Sequence, residues 1–378
     1  MKYIRYKEKN YPDLNKSETI RLINKYNKEE KILNLDIFGP LTNDTIILVI
    51  QVHKISNSFK HLLSSLCELR GIQDALIIFS HSYLDVNVNT LIVSIDFCRV
   101  LQIFYTYSLQ VFTHEFPGYS RYDCPYDANI ERAEFLNCTG ASTPDIHGKY
   151  RQPIKAEKKH YWWWTAYVLF ENLKCTRGFN GVVVFLEKDL YLIEDFLYMI
   201  IFMRKIAKSS PPSEFLSLES SIPTGNLYSV ELTSWDPMLH SGVLAFDVTV
   251  WNRIVENYNL FCDVDDSSWS RSLLYLSLNQ KNSKRFKVLH SRIPRAMLTS
   301  KYPLCVEDNV IDILSAQKTF KSNLYPPYLE VYTNIELEDD SYVIFDLVEG
   351  EGGWSDPRDI LLCKNIIRNK TNILHINI

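Results

Sequence analysis

The stretch GVVVFLEKD, residues 181–189, decides how this chain folds. Five apolar residues in succession, from Val182 to Leu186, suit a strand covered on both faces, as in a parallel sheet. The run then breaks into Glu187, Lys188 and Asp189, three charges that a buried strand centre would not tolerate unpaired. A strand of this kind places its charges at the carboxyl end, where open α/β sheets bind their ligands.

Working outward, the same alternation recurs. TIILVIQVH (residues 45–53) and ALIIFSHS (75–82) read as buried strands, and SNSFKHLLSSLCELRG (56–71) between them reads as an amphipathic helix closed by Gly71. LQIFYTYS (101–108) follows as a third strand. A loop-rich region, residues 116–153, is full of Gly, Pro, Asp and Asn. AEKKHYWWWTAYVLFENLKCTRG (156–178) and IEDFLYMIIFMRKIAK (193–208) read as helices on either side of 181–189. VLAFDVTVWNRIVENY (243–258), SWSRSLLYLSLNQ (268–280) and FKVLHSRIPR (286–295) continue in mixed fashion. Strands separated by helices predict an α/β fold, a mainly parallel mixed sheet with helices on both faces.

Composition narrows the function. The 378 residues are 46% hydrophobic and 13% aromatic, enough for a large core. A net charge of −4 and the lack of a long basic tract argue against nucleic-acid binding. Neither a GxGxxG nor a GxxxxGK[ST] loop is present, which disfavours dinucleotide and P-loop enzymes. Residues 1–40 are expected to be a polar N-terminal extension, with a single domain over 41–378. The polar start contains no signal-peptide core, and the longest apolar patch, FLYMIIFM (196–203), is too short to span a bilayer, so no membrane anchor is expected in this chain.

Eight cysteines include no CxxC pair, so a zinc cage is not expected. An even count suits disulfides, but buried thiols explain it almost as well. Sequons begin at Asn15, Asn43, Asn137 and Asn369.

Seven motifs then occur in order: QVH (51–53), IIFSH (77–81), FCRVLQIF (97–104), EFPG with DCP (115–125), KHYWWW (159–164), FLEKD (185–189) and GGWSDPRD (352–359). Together they resemble the alpha-1,6-mannosyl-glycoprotein 2-beta-N-acetylglucosaminyltransferase (N-acetylglucosaminyltransferase II) family. The resemblance implies a GT-A (Rossmann-like) glycosyltransferase fold and UDP-N-acetylglucosamine as donor. It also implies Mn²⁺ as cofactor, the α1,6-arm mannose of an N-glycan as acceptor, and the Golgi as location. The transfer would invert the anomeric carbon to give a β-1,2 linkage.

On these residues the resemblance assigns Asp189 to the metal, with Glu187 matching the first acid of a Glu-Glu-Asp motif and Lys188 replacing the middle one. It assigns donor contacts to Gln51, Val52, His53, Ser82, Lys159, His160 and Glu187. Lys158, Lys159 and His160, near a helix start, could meet phosphate by charge and amide dipoles. Trp269 could stack on an acceptor sugar or be buried as structure. Of the successive Trp162, Trp163 and Trp164, which cannot share one helical face, at least one should border the cleft.

The chain departs from the family pattern again at the second metal ligand and at the base. Its second metal ligand, a histidine after IPR, is Leu298 here. Its catalytic base, an aspartate after a tryptophan, is Ser270, with Asp266 as a weak substitute. The DVDD run (263–266) imitates a metal motif but does not end an apolar strand, so it reads as a loop. The resemblance also pairs Cys124 with Cys138 and Cys262 with Cys363, leaving Cys67, Cys98, Cys175 and Cys305 unassigned. Two functions therefore compete: an active β-1,2-N-acetylglucosaminyltransferase, or a catalytically impaired member that binds glycans or scaffolds other enzymes.

Overall fold

The computed structural model describes residues 15–208, 213–219, 226–280, 285–299, 310–315, 318, 321–334, 350–368 and 376. Among the described residues nine strands form one sheet: β1 (Ile47–Val52), β2 (Leu76–His81), β3 (Arg99–Phe104), β4 (Val183–Leu186), β6 (Phe215–Ser217), β7 (Ser229–Ser234), β8 (Val243–Phe246), β9 (Lys287–Ser291) and β11 (Glu330–Thr333). Two short strands, β5 (Leu190–Leu192) and β10 (Ala296–Leu298), pair antiparallel as a separate ribbon. The order across the large sheet is β11-β7-β9-β6-β8-β4-β1-β2-β3.

β1, β2, β3 and β4 are mutually parallel, as are the pairs β6/β9 and β7/β11. β8 runs antiparallel to both β4 and β6, and β7 to β9. The sheet is therefore mixed and mainly parallel. Its buried strands alternate their side chains between two cores. Ile47 and Val49 face one layer, while Leu48, Ile50 and Val52 face the other. The first layer holds the helices Pro153–Tyr167, Val248–Glu256, Trp269–Asn279 and Pro357–Arg368; the second holds Asn57–Glu68, Val86–Val93 and Phe196–Ala207. Helices thus cover both faces, as a sheet buried on two sides requires.

The strand order reverses at β1. The chain winds outward through β2 and β3, then returns to lay β4 on the other side of β1. Such a reversal opens a crevice beyond the carboxyl ends of the strands that flank it. Residue register makes the crevice specific: Gln51 pairs with Ser80, Val52 with His81, and Ile50 with Leu186.

The helix Lys16–Glu29 packs on β3, and Asn27 donates to and accepts from the Phe104 backbone at 2.8 Å each. Among the described residues, the disulfide Cys124–Cys138 closes a segment of the loop-rich region, and Cys262–Cys363 joins the helices Tyr258–Asp263 and Pro357–Arg368. Cys67, Cys98 and Cys175 are thiols, and Cys305 lies outside the described residues. Among the described residues no helix is long and apolar enough to cross a membrane.

Candidate functional site

The crevice is a cavity of about 470 Å³, a size that suits a small organic ligand. β1 supplies Val49, Gln51 and Val52 and leads into His53; Ser82 follows β2; Glu187, Lys188 and Asp189 follow β4. Parallel pairing explains why residues so distant in sequence meet. The three strands run the same way and end within two residues of one another in register, so the residues at and just past their ends are delivered to one rim.

His53 and Ser82 illustrate this, with Nδ1 and Oγ 2.7 Å apart. Burial keeps the His53 pKa below its ordinary value, reinforced by the charges of Lys54 and Lys188 and opposed by Asp85. The ring is therefore a neutral hydrogen-bonding group. Gln51 donates from Nε2 to Thr165 Oγ1 at 3.3 Å, which fixes its amide against the helical layer.

The helix Pro153–Tyr167 forms another wall. Ile154, Glu157, Lys158, Tyr161 and Trp162 line the cavity, at the i, i+3, i+4, i+7 and i+8 positions of one helical face. Pro153 opens the helix at a position where a missing N–H costs nothing. Tyr161 donates its hydroxyl to the Ser80 carbonyl, locking the helix to β2. Trp162 stacks on Trp269 with ring centres 4.4 Å apart and planes 6° from parallel. Its indole Nε1–H is buried without a hydrogen-bond partner among the described residues. Trp269, which also lines the cavity, is held at the start of its helix by Ser268, whose side chain caps the Arg271 N–H. Trp163 and Trp164 belong to the core, and Trp163 donates to the Cys363 carbonyl.

Glu157 was not singled out by sequence, yet it is a carboxylate on the cavity wall. Its Oε1 accepts from the Leu109 N–H at 2.8 Å. Burial pushes its pKa up to about 7, against the pull of that hydrogen bond. The signal lay in the helical stripe that also carries Tyr161 and Trp162.

The acidic rim is constrained by its neighbours. The Glu187 N–H donates to the Gly242 carbonyl, and the Gly242 N–H donates to Glu219 Oε2 at 2.8 Å. A Cβ at Gly242 would approach that oxygen to 2.6 Å, so any larger residue there would push the Glu219 carboxylate aside. Burial raises the Glu187 pKa, with Asp189 adding and Lys188 opposing. Burial likewise lifts Glu219 to about 7, helped by Glu187.

The residues do not fit a divalent cation. Lys188 Nζ lies 3.0 Å from each carboxylate oxygen of Asp189, so both oxygens already face a cation. Leu298 pairs with Leu190 across the β5/β10 ribbon, one residue from Asp189, and Thr299 donates twice to the Asp189 carbonyl. A hydrocarbon therefore stands where the family's histidine was expected, and it offers no electron pair to a metal. Among the described residues no three His, Cys, Asp or Glu side chains cluster as a metal site.

Several expected site residues stand outside the cavity lining. Lys159 and His160 fall off the helical stripe and are buried in the layer behind it. Lys159 Nζ donates to the carbonyls of Asp266 (2.9 Å) and Val264 (3.3 Å) and sits 4.1 Å from the Trp354 ring centre. His160 Nε2 lies 3.0 Å from Asp359 Oδ1, which belongs to a carboxylate also gripped by Arg151. These contacts brace the loop 263–266 and the helix Pro357–Arg368, and neither side chain lines the cavity.

Ser270 Oγ lies 3.2 Å from Ser268 Oγ, and Ser270 does not line the cavity. Asp266 is committed too: its carboxylate accepts from Arg271 Nε and from the N–H groups of Ser268 and Glu351. Asp265 bonds the N–H groups of Trp354 and Ile146, so the DVDD run works as a loop staple. The structure thus gathers Gln51, Val52, His53, Ser82, Glu187, Asp189 and Trp269 around one cavity, and leaves Lys159, His160, Ser270 and Asp266 behind its wall.

Comparison with known proteins gives a concordant picture. The profile of N-acetylglucosaminyltransferase II (MGAT2) matches residues 20–363. The alpha-1,6-mannosyl-glycoprotein 2-beta-N-acetylglucosaminyltransferase of Rattus norvegicus is 31% identical over 358 residues, covering 92% of this chain and 80% of its own length. The Homo sapiens protein of the same name is 31% identical over 92% of this chain and 79% of its own. Among solved structures, the mannosyltransferase PcManGT from Pyrobaculum calidifontis, in complex with GDP-Man and Mn²⁺, overlaps with a TM-score of 0.33 at 9% identity, over 94% of this chain and 83% of its own. That overlap is too loose to locate side chains.

Proposed function

The chain belongs to the N-acetylglucosaminyltransferase II family, and on that premise we propose that it transfers N-acetylglucosamine from UDP-N-acetylglucosamine to the 2-hydroxyl of the α1,6-arm mannose of N-glycans, in β-1,2 linkage. One observation carries the reading: the ends of β1, β2 and β4 bring Gln51, His53, Ser82, Glu187 and Asp189 to one cavity whose other wall is aromatic. The polar rim suits a sugar nucleotide. The Trp162–Trp269 stack and Tyr161 offer apolar ring faces of the kind that pack against a sugar.

An inverting transfer needs an acceptor for the proton of the attacking hydroxyl. Glu157 is the cavity carboxylate that lies apart from the charged rim, on a different element, and we assign it that role. Its pKa of about 7 suits a base working near neutrality.

The competing reading is a family member without chemistry that binds or scaffolds glycans. It is favoured by Ser270 and Asp266, since neither lines the cavity. Glu157 supplies the proton acceptor that reading finds missing. A Golgi lumen location is part of the proposal, supported by two disulfides, which persist in oxidising compartments.

The test is to secrete the chain from a host, purify it and incubate it with UDP-N-acetylglucosamine and an N-glycan bearing an uncapped α1,6-arm mannose. A product heavier by one N-acetylhexosamine, with a β-1,2 linkage by NMR, is expected. Binding of the nucleotide without transfer would support the impaired reading. Neither binding nor transfer would overturn both.

A further inference from the structure

We propose that the ammonium of Lys188 takes the place of the divalent cation, so that this chain binds and discharges its sugar nucleotide without a metal. The inference rests on the sugar-nucleotide reading above and sharpens it. Its basis is the contact between Lys188 Nζ and both Asp189 oxygens at 3.0 Å, at the rim of the cavity.

Three features converge. First, a carboxylate at the end of β4 would orient a cation toward the crevice, and it holds one that is covalently part of the chain. Second, an ammonium has three N–H donors and no acceptor. Two are spent on Asp189, which leaves one for a phosphate oxygen. Third, the neighbouring position across the ribbon, Leu298, is 41% exposed and contributes only hydrocarbon, so a metal arriving at Asp189 would meet a competing cation and gain no ligand from that side. Charge reversal at 188 and loss of a donor at 298 are separate changes, and a site that had stopped using a metal accommodates both.

The chemistry balances without another reagent. The bond between the anomeric carbon and the β-phosphate oxygen breaks, and its electron pair stays on the diphosphate. The acceptor hydroxyl oxygen bonds to the same carbon and gives its proton to Glu157. Lys188 keeps its protons throughout and meets the added negative charge through one charge-assisted hydrogen bond, the stronger class of such bonds.

The experiment measures UDP binding by calorimetry, in EDTA and then in Mn²⁺, for the intact chain and for the variants Lys188→Gln and Lys188→Arg. The native chain should bind UDP in EDTA, with affinity changed less than about twofold by Mn²⁺. Hydrogen bonds to charged groups typically contribute enough for Lys188→Gln to weaken binding roughly 10- to 100-fold in EDTA. Lys188→Arg should retain most of it. Lys188 is partly exposed, so the variants should fold, and melting curves would check this. A native chain that binds UDP only with Mn²⁺ overturns the inference and leaves the sugar-nucleotide reading standing. Unchanged affinity in Lys188→Gln also overturns it. No UDP binding in either buffer removes the sugar-nucleotide reading itself.

Discussion

Replacing Glu157 by glutamine should make the protein more stable above neutrality and nearly inactive. Burial raises this carboxyl from an ordinary 4.5 to about 7. The folded state therefore holds the proton more tightly than the unfolded chain. The stability that follows is fully present below pH 4.5 and is lost as pH rises through about 7. At about 1.4 kcal/mol per tenfold change in proton affinity, the full effect is ~3 kcal/mol, and partial exposure trims it to about 1–3 kcal/mol. Glutamine cannot ionise, and its amide oxygen can keep the bond from the Leu109 N–H. The variant should thus exceed the native chain by about 1–3 kcal/mol in urea unfolding at pH 8, and match it near pH 4.5. The groups facing Glu157 do not blur the comparison, since burial pushes Tyr105 and Tyr161 up and both stay neutral over this range. Loss of a general base should cut transfer by roughly 10²- to 10⁴-fold, and native kcat/KM should rise with pH through about 7. A variant within threefold of native transfer would refute the base assignment. One that is less stable at pH 8 would refute the electrostatics.

Other outcomes follow from the same contacts. Trp269→Ala removes the ring stacked at 4.4 Å on Trp162 and should raise the KM for the glycan about tenfold, with UDP affinity unchanged in calorimetry. Cys262→Ser with Cys363→Ser opens a link across 101 residues and should cost about 4–5 kcal/mol in urea unfolding. Asp359→Asn leaves the buried Arg151 with a weakened partner and should destabilise by about 3–5 kcal/mol. Burial alone would raise the Asp359 pKa, but His160 and Arg151 hold it below the ordinary 3.8. Its contribution is therefore present above pH ~3.8 and lost as pH falls below that, so the variant's deficit should shrink in acid.

Much of this architecture was legible because buried parallel strands leave an unmistakable trace. TIILVIQVH and ALIIFSHS contain β1 and β2 whole, and 181–189 holds both β4 and the charged rim. The ribbon of β5 and β10 escaped notice, since three-residue strands carry no periodicity. The antiparallel setting of β8 was equally hidden, because strand direction depends on the whole topology and not on VLAF itself.

In the site, proximity in sequence misled. Lys159 and His160 adjoin the cavity-lining Lys158 and Tyr161, yet each helical step turns the side chain by about 100°, which sends them into the layer behind. The same arithmetic, applied to Ile154 through Trp162, would have drawn out Glu157. Asp266 reads as a weak substitute base because it is close in sequence to Ser270; only the fold reveals that Arg271 and two backbone N–H groups already hold it.

The central claim is that the crevice at the ends of β1, β2 and β4 receives a sugar nucleotide. A crystal structure of the chain soaked with UDP in metal-free buffer tests it most directly. The diphosphate should lie within hydrogen-bond distance of Lys188 and the nucleoside beside His53 and Ser82. Nucleotide density anywhere else on the molecule, with this cavity empty, would contradict it.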